Sequence, residues 1–246
     1  MAKQGEIDYI GRIGAAGAEH AQGKPFSDPH CGAMLADVAA LFMVLPPPPA
    51  RVLDLGCGSG WTSVFLARHG YAVVGQDIAA DMIALAEDNQ TSAGVATLEF
   101  VVSDYESLGF HDEFDAALFY DALHHAEDPS AALASAYRAL KPGGILVTLE
   151  PGSGHAQSEL AKQAMRQYGV TERDMPPRTI IDLARKVGFR ASRIHPMPKT
   201  LATIQYQLPR LARWPAWLAD FVRWVGVGYL TLVARRRRGG MVVLRK

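Results

Sequence analysis

The sequence predicts an α/β fold, a doubly wound and mostly parallel sheet with helices on both faces. Three observations carry that prediction. From residue 51 onward, short apolar strand-like runs alternate with helical stretches. The first strand runs straight into a glycine-spaced turn, Gly56-Cys57-Gly58-Ser59-Gly60, which opens a helix at Trp61. Hydrophobic residues make up 49% of the 246, enough for a sizeable core in a single domain over 1–246.

The elements follow in order. Residues 1–26 are rich in Gly and Ala and poorly periodic, and with the helix behind them they read as a cap or lid over 1–49. Ser27-Asp28-Pro29 marks a helix start. That helix stops at Pro46-Pro47-Pro48-Pro49. The core, 50–198, places strands at 51–55, 72–76, 97–102, 114–120, 145–150 and 190–197. Helices are predicted at 61–69, closed by Gly70, and at 80–93. Asp128-Pro129 starts another helix, which ends before the turn Lys141-Pro142-Gly143-Gly144. Further helices are predicted at 157–168 and 178–187. Residues 199–240 read as a helical insert, and 241–246 as the last strand.

Basic and acidic residues both number 25, so no basic excess advertises a nucleic-acid partner, and none is expected. Cys31 and Cys57 are too few for a disulfide framework and read as reduced thiols. Met1–Glu6 lacks the apolar core of a signal peptide, so a cytoplasmic protein is expected.

The spacing of the glycine turn separates two kinds of ligand. A dinucleotide site uses G-x-G-x-x-G to cradle a pyrophosphate. Here the string is Asp54-Leu55-Gly56-Cys57-Gly58-Ser59-Gly60, which suits a ligand without a pyrophosphate. With the strand before it, this string resembles the first motif of the class I S-adenosylmethionine-dependent methyltransferases. Further segments match in order: Asp77-Ile78 after strand two, Ser103-Asp104-Tyr105 after strand three, Phe119-Tyr120-Asp121 closing strand four, and Lys141-Pro142-Gly143-Gly144 before strand five. The resemblance covers 51–150. It implies a seven-stranded sheet in which the last strand is antiparallel and lies between five and six. It also implies S-adenosylmethionine as cofactor, S-adenosylhomocysteine as product, and a cofactor site built from Asp54, Gly56, Cys57, Gly58, Gly60, Asp77, Ile78, Asp104, Tyr105 and Tyr120. In it Asp54 braces the turn, Asp77 accepts both ribose hydroxyls, Ile78 flanks the adenine and Asp104 receives its amino group.

The implied chemistry is an in-line methyl transfer, in which positioning alone can supply up to about 7–11 kcal/mol. A hydroxyl acceptor also needs a base, and histidine matches that task. The candidates are His125, His124 and His155; the last follows Glu150 in a Gly-rich stretch expected to line the acceptor pocket. His124, His125, Glu127 and Asp128 cluster without a helical ligand spacing, so no metal site is expected. Lys24 and His20 in the lid are expected near the cofactor or acceptor.

About forty residues separate the last two strands, well beyond a hairpin connection. They hold Trp214, Trp217, Phe221, Trp224 and Tyr229, then Arg235-Arg236-Arg237-Arg238. The apolar run 225–234 is too short to span a bilayer. Aromatic residues followed by a basic cluster suit an interfacial helix, so 214–238 is read as a peripheral contact with the inner membrane surface; a pocket lid, a homodimer contact and a packed insert are the alternatives. The expected function is methyl transfer to a small-molecule hydroxyl. A lipid-linked or quinone-like acceptor is the neighbouring reading. A nicotinamide-dependent oxidoreductase and a non-catalytic cofactor-binding protein are the readings from other classes.

Overall fold

The structure, a computed structural model, describes residues 2–206, 213–232 and 239–246. Seven strands form one sheet: β1 (Arg51–Leu55), β2 (Ala72–Asp77), β3 (Leu98–Val102), β4 (Phe114–Tyr120), β5 (Leu140–Pro151), β6 (Ala191–Pro196) and β7 (Gly239–Arg245). Their order is β3-β2-β1-β4-β5-β7-β6. β7 runs antiparallel to both β5 and β6, and the other pairings are parallel. The expected architecture, antiparallel last strand included, is the observed one.

Period-two alternation explains why both faces of the sheet are covered. Leu53, Phe119 and Leu146 enter one core cluster together with Leu133 and Ile180 from helices. Their sequence neighbours Val52, Leu118 and Val147 enter the other, with Leu41 and Leu66. Helices α4 (Trp61–Arg68), α5 (Ala80–Ala93), α6 (Pro129–Ala139) and α8 (Pro177–Val187) connect the strands, and α7 (Glu159–Tyr168) precedes α8. The Asp128-Pro129 signal holds: Asp128 accepts from the backbone N–H of Ser130 at 2.8 Å and of Ala131 at 3.2 Å, with Pro129 in the first turn.

The differences from expectation lie at the edges. β5 begins five residues early because its pairing with β4 skips from Phe114↔Leu140 to Ala116↔Ile145, and the Pro-Gly-Gly turn is taken up as an irregularity inside the strand. Most of residues 2–22 is helical, as α1 (Ala2–Ile7) and α2 (Tyr9–Gln22). α2 buries no residue and is interrupted at Gly14 (φ 68°), so no apolar stripe betrays it. α3 (Cys31–Val44) starts later than Ser27-Asp28-Pro29 suggests, because Asp28 caps a preceding turn by accepting from His30 N at 2.7 Å. In the insert, α9 (Pro198–Tyr206) packs on α3, and α10 (Ala216–Leu232) packs on α9. Buried Asp37 of α3 pins the insert: it accepts from Tyr120 Oη at 3.1 Å and from Lys199 N at 2.8 Å. Burial pushes its carboxyl up to about 6 against those two bonds. The run Arg235–Arg238 lies outside the described residues.

Register brings the site together. Leu55 of β1 is level with Gln76 of β2 and Phe119 of β4. The glycine turn, Asp77 and Tyr120 therefore emerge side by side at the carboxyl edge, where open α/β sheets bind ligands.

Candidate active site

The glycine turn is held in the left-handed region at Gly56 (φ 69°), Gly58 (φ 54°) and Gly60 (φ 71°). A Cβ at Gly56 would sit 2.7 Å from the Cβ of Ala122, and one at Gly60 would sit 2.6 Å from the Phe100 ring. A Cβ at Gly58 would meet nothing within 4 Å. Two glycines thus permit close packing, and the third leaves open the space above the turn.

Two carboxylates tie the turn down. Asp54 is 1% exposed, and its Oδ2 accepts from Thr62 Oγ1 and Ser63 Oγ, each at 2.6 Å. It staples β1 to the first turn of α4 from below and does not line the cavity. Burial raises its pKa against the two hydroxyl bonds. Asp77 accepts from Gly58 N through Oδ2 and from Ala79 N through Oδ1, both at 2.9 Å. Burial raises its pKa as well, and the backbone bonds oppose the shift. Each Asp77 oxygen keeps a second lone pair, and the residue faces the cavity.

The cavity has a volume of about 790 Å³, within the range of small-molecule sites. Gly56, Cys57, Gly58, Asp77, Ile78 and Met82 line it, and so do Tyr105, Tyr120, His124, His125 and His155. Burial pushes the Cys57 thiol well up, so it is no nucleophile. Gly60 and Asp104 are not in the lining. Asp104 instead caps the short turn Tyr105–Ser107, accepting from Glu106 N at 2.9 Å, and pairs with Lys3 of the lid at 2.5 Å.

The histidines are organised by carboxylates. Glu150, fully buried at the end of β5, accepts from Ala122 N at 3.1 Å, Leu123 N at 2.8 Å, His124 N at 3.3 Å and His124 Nδ1 at 2.8 Å. It holds the turn after β4 from behind rather than lining the pocket. With Nδ1–H given to Glu150, His124 presents Nε2, which lies 3.5 Å from Glu172 Oε2. The same oxygen is 2.7 Å from His155 Nε2. His125 Nδ1 donates to Thr171 O at 2.6 Å and lies 3.4 Å from Glu6 Oε1. Burial alone would lower its pKa, but Glu6 and Glu172 outweigh that and push it up to about 9. At neutral pH His125 is therefore mainly an imidazolium with no lone pair to offer. Asp121, at φ 54°, stands in the same cavity; burial would raise its pKa, but Lys199, His124 and His125 hold it low.

The lid closes over this arrangement. Ser59 Oγ donates to Ala21 O at 2.6 Å, and Asn89 Nδ2 donates to Gln22 O at 3.1 Å and Ser59 O at 2.9 Å, so the end of α2 sits on the glycine turn. Glu6 of α1 accepts from Thr171 N at 2.9 Å. Lys24 lines the cavity. His20 does not; its Nε2 lies 3.6 Å from Asp28. Glu6, Asp121, Glu172, Trp61 and Lys199 are cavity residues that sequence reasoning did not select. Glu172 comes from the connection between α7 and α8, which carries no motif.

Comparison with known proteins agrees with this geometry. A family profile described as a methyltransferase domain matches residues 53–148. Residues 53–148 of this chain therefore carry a methyltransferase domain. Among curated proteins, this chain is 36% identical over 104 residues to the ubiquinone biosynthesis O-methyltransferase of Xanthomonas axonopodis pv. citri, covering 42% of this chain and 43% of that one. It is 33% identical over 154 residues to the protein of the same name from Cereibacter sphaeroides, covering 59% and 62%. The chain thus spans about half the length of these relatives. Among solved structures, Haemonchus contortus phosphoethanolamine N-methyltransferase 2, in complex with S-adenosyl-L-methionine, superimposes with a TM-score of 0.68 at 22% identity, over 100% of this chain and 60% of that one. At that identity the likeness is one of fold.

Proposed function

We propose that this protein transfers a methyl group from S-adenosylmethionine to a hydroxyl oxygen of a small molecule. The observation that carries the reading is Asp77, a carboxylate fastened to the glycine turn by Gly58 N yet facing a cavity at the strand ends. The residues fit the cofactor. Gly58 leaves room for close approach, Asp77 can take two vicinal hydroxyls, and Ile78 and Met82 offer an apolar flank. The names of these relatives point to an oxygen acceptor.

When bound, the cofactor supplies an electrophilic methyl on a sulfonium. The protein's own work is to orient the acceptor, exclude water and remove a proton. His124 takes the hydroxyl proton at Nε2 because Glu150 fixes its Nδ1–H tautomer. His125, kept cationic by Glu6, stabilises negative charge developing on the acceptor oxygen. Glu172 joins His124 to His155 and offers the proton a route to the half-exposed rim.

The experiment is turnover with methyl-labelled S-adenosylmethionine against a panel of phenols, catechols and primary amines. Label on phenolic oxygen, falling roughly 10²–10⁴-fold in His124→Ala, supports the reading. Label on amines alone contradicts it. A second reading, a quinone-like or lipid-linked acceptor met at the membrane surface with 214–238 as the contact, is favoured by the exposed aromatic side chains of the insert.

A further inference from the structure

Large exposed apolar side chains are concentrated on one helix. Trp217, Phe221, Trp224 and Leu232 of α10 are 73%, 56%, 73% and 74% exposed, and Trp214 just before it is 47% exposed. Trp217, Phe221 and Trp224 follow one another at steps of four and three residues, as do Val225, Tyr229 and Leu232, and the two adjoining runs share one broad face. The opposite face does the packing: Ala219 and Leu230 are buried, and a Cβ at Gly226 would touch Ile204 of α9 at 3.3 Å. A packed insert would turn its tryptophans inward. Here they face away from the protein, which marks an interaction surface.

We propose that this face of α10 docks the protein on an anionic bilayer, lying in the headgroup region parallel to the membrane. Three features select that occupant. The helix is 17 residues long, about 25 Å, and no described helix is long and apolar enough to cross a membrane. Tryptophan and tyrosine, with an apolar body and a polar tip, suit the interface between headgroups and acyl chains. Arg235–Arg238 follow three residues after the helix in sequence, a cluster that complements anionic lipid. The docking face also adjoins the site through one layer. α9 presents Lys199, Thr200 and Thr203 to the cavity and Ile204 to α10. Seating α10 on lipid therefore brings the cavity wall to the membrane. The inference goes beyond the proposed reaction and stands without it, because binding to vesicles needs no turnover.

The test is co-sedimentation of the full chain with phosphatidylcholine vesicles and with vesicles containing about one-third phosphatidylglycerol. Tryptophan quenching by acyl-brominated lipid is measured in parallel. Binding to the anionic vesicles, quenched by brominated chains and weakened about tenfold or more between 50 and 500 mM salt, is the expected result. The double variant Trp217→Ser, Trp224→Ser should lose binding while keeping its thermal midpoint and its affinity for S-adenosylhomocysteine. Absence of vesicle binding overturns the proposal. So does a stable dimer in light scattering that the double variant converts to monomer without any loss of vesicle binding, which would give the face to a second copy of the chain.

Discussion

Replacing Glu150 by glutamine should weaken the fold and the chemistry together. The carboxylate is fully buried and accepts four hydrogen bonds, two at each oxygen. In Glu150→Gln the amide oxygen can keep two donors, but the amide nitrogen then faces two N–H groups that need an acceptor. An unmet buried donor costs about 1–3 kcal/mol. One of the four bonds is long, at 3.3 Å, which argues for the lower half of that range. The expected loss is about 3 kcal/mol, the sum over the two unmet donors. For a chain of this size that lowers the thermal midpoint by roughly 6–12 °C. Urea unfolding followed by circular dichroism, with a thermal scan, gives both numbers. A loss below about 1 kcal/mol would falsify the claim that Glu150 holds the turn after β4. A normal rate in the folded variant would separately refute its part in orienting His124, for which a drop of about a hundredfold or more is expected.

Other outcomes follow from the same geometry. Gly56→Ala forces a left-handed alanine and a 2.7 Å contact with Ala122, so it should cost at least about 1–3 kcal/mol in urea unfolding; Gly58→Ala, open on that side, should cost less yet reduce S-adenosylhomocysteine binding more. His125 has a folded pKa of about 9, above its ordinary 6.5. Its protonated form therefore stabilises the fold fully below about pH 6.5, and that contribution disappears as pH rises through about 9. Glu6→Gln should bring the His125 titration, followed by NMR, down toward its ordinary value and flatten the stability profile over that window. An unchanged titration would show that the lid carboxylate does not hold the charge. Phe119→Ala, at a fully buried position in the core cluster that holds Leu53, Leu133 and Ile180, should cost about 3–5 kcal/mol; a cost below about 1 would contradict the packing described for that face.

The sheet was legible because its strands are apolar runs bounded by turn signals, and because Val52-Leu53, Leu118-Phe119 and Leu146-Val147 are apolar at both faces. The glycine turn was legible as a string of letters, since backbone conformation restricts what can stand at Gly56 and Gly60. The lid was not. α2 meets the protein through single polar contacts such as Ser59 with Ala21, and these leave no periodic trace. Asp104 shows how a motif position can be diverted: the resemblance assigns it to the adenine, whereas here its carboxylate caps its own turn and pairs with Lys3. The histidine pair was visible, but its division of labour was not, because the carboxylates that set it, Glu6, Glu150 and Glu172, come from three distant segments. The aromatic run of the insert was readable as a helix, while its outward orientation depends on how α9 seats beneath it.

The central claim is that the glycine turn and Asp77 form a site for a sulfur-containing nucleoside without a pyrophosphate. Calorimetric titration of the purified protein with S-adenosylhomocysteine, with NAD as control and Asp77→Asn as the site variant, tests it most directly. The account predicts binding of S-adenosylhomocysteine alone, weakened at least about tenfold in Asp77→Asn, as expected when a charged hydrogen-bond acceptor is lost. Preference for NAD, or equal affinity in the variant, would contradict it.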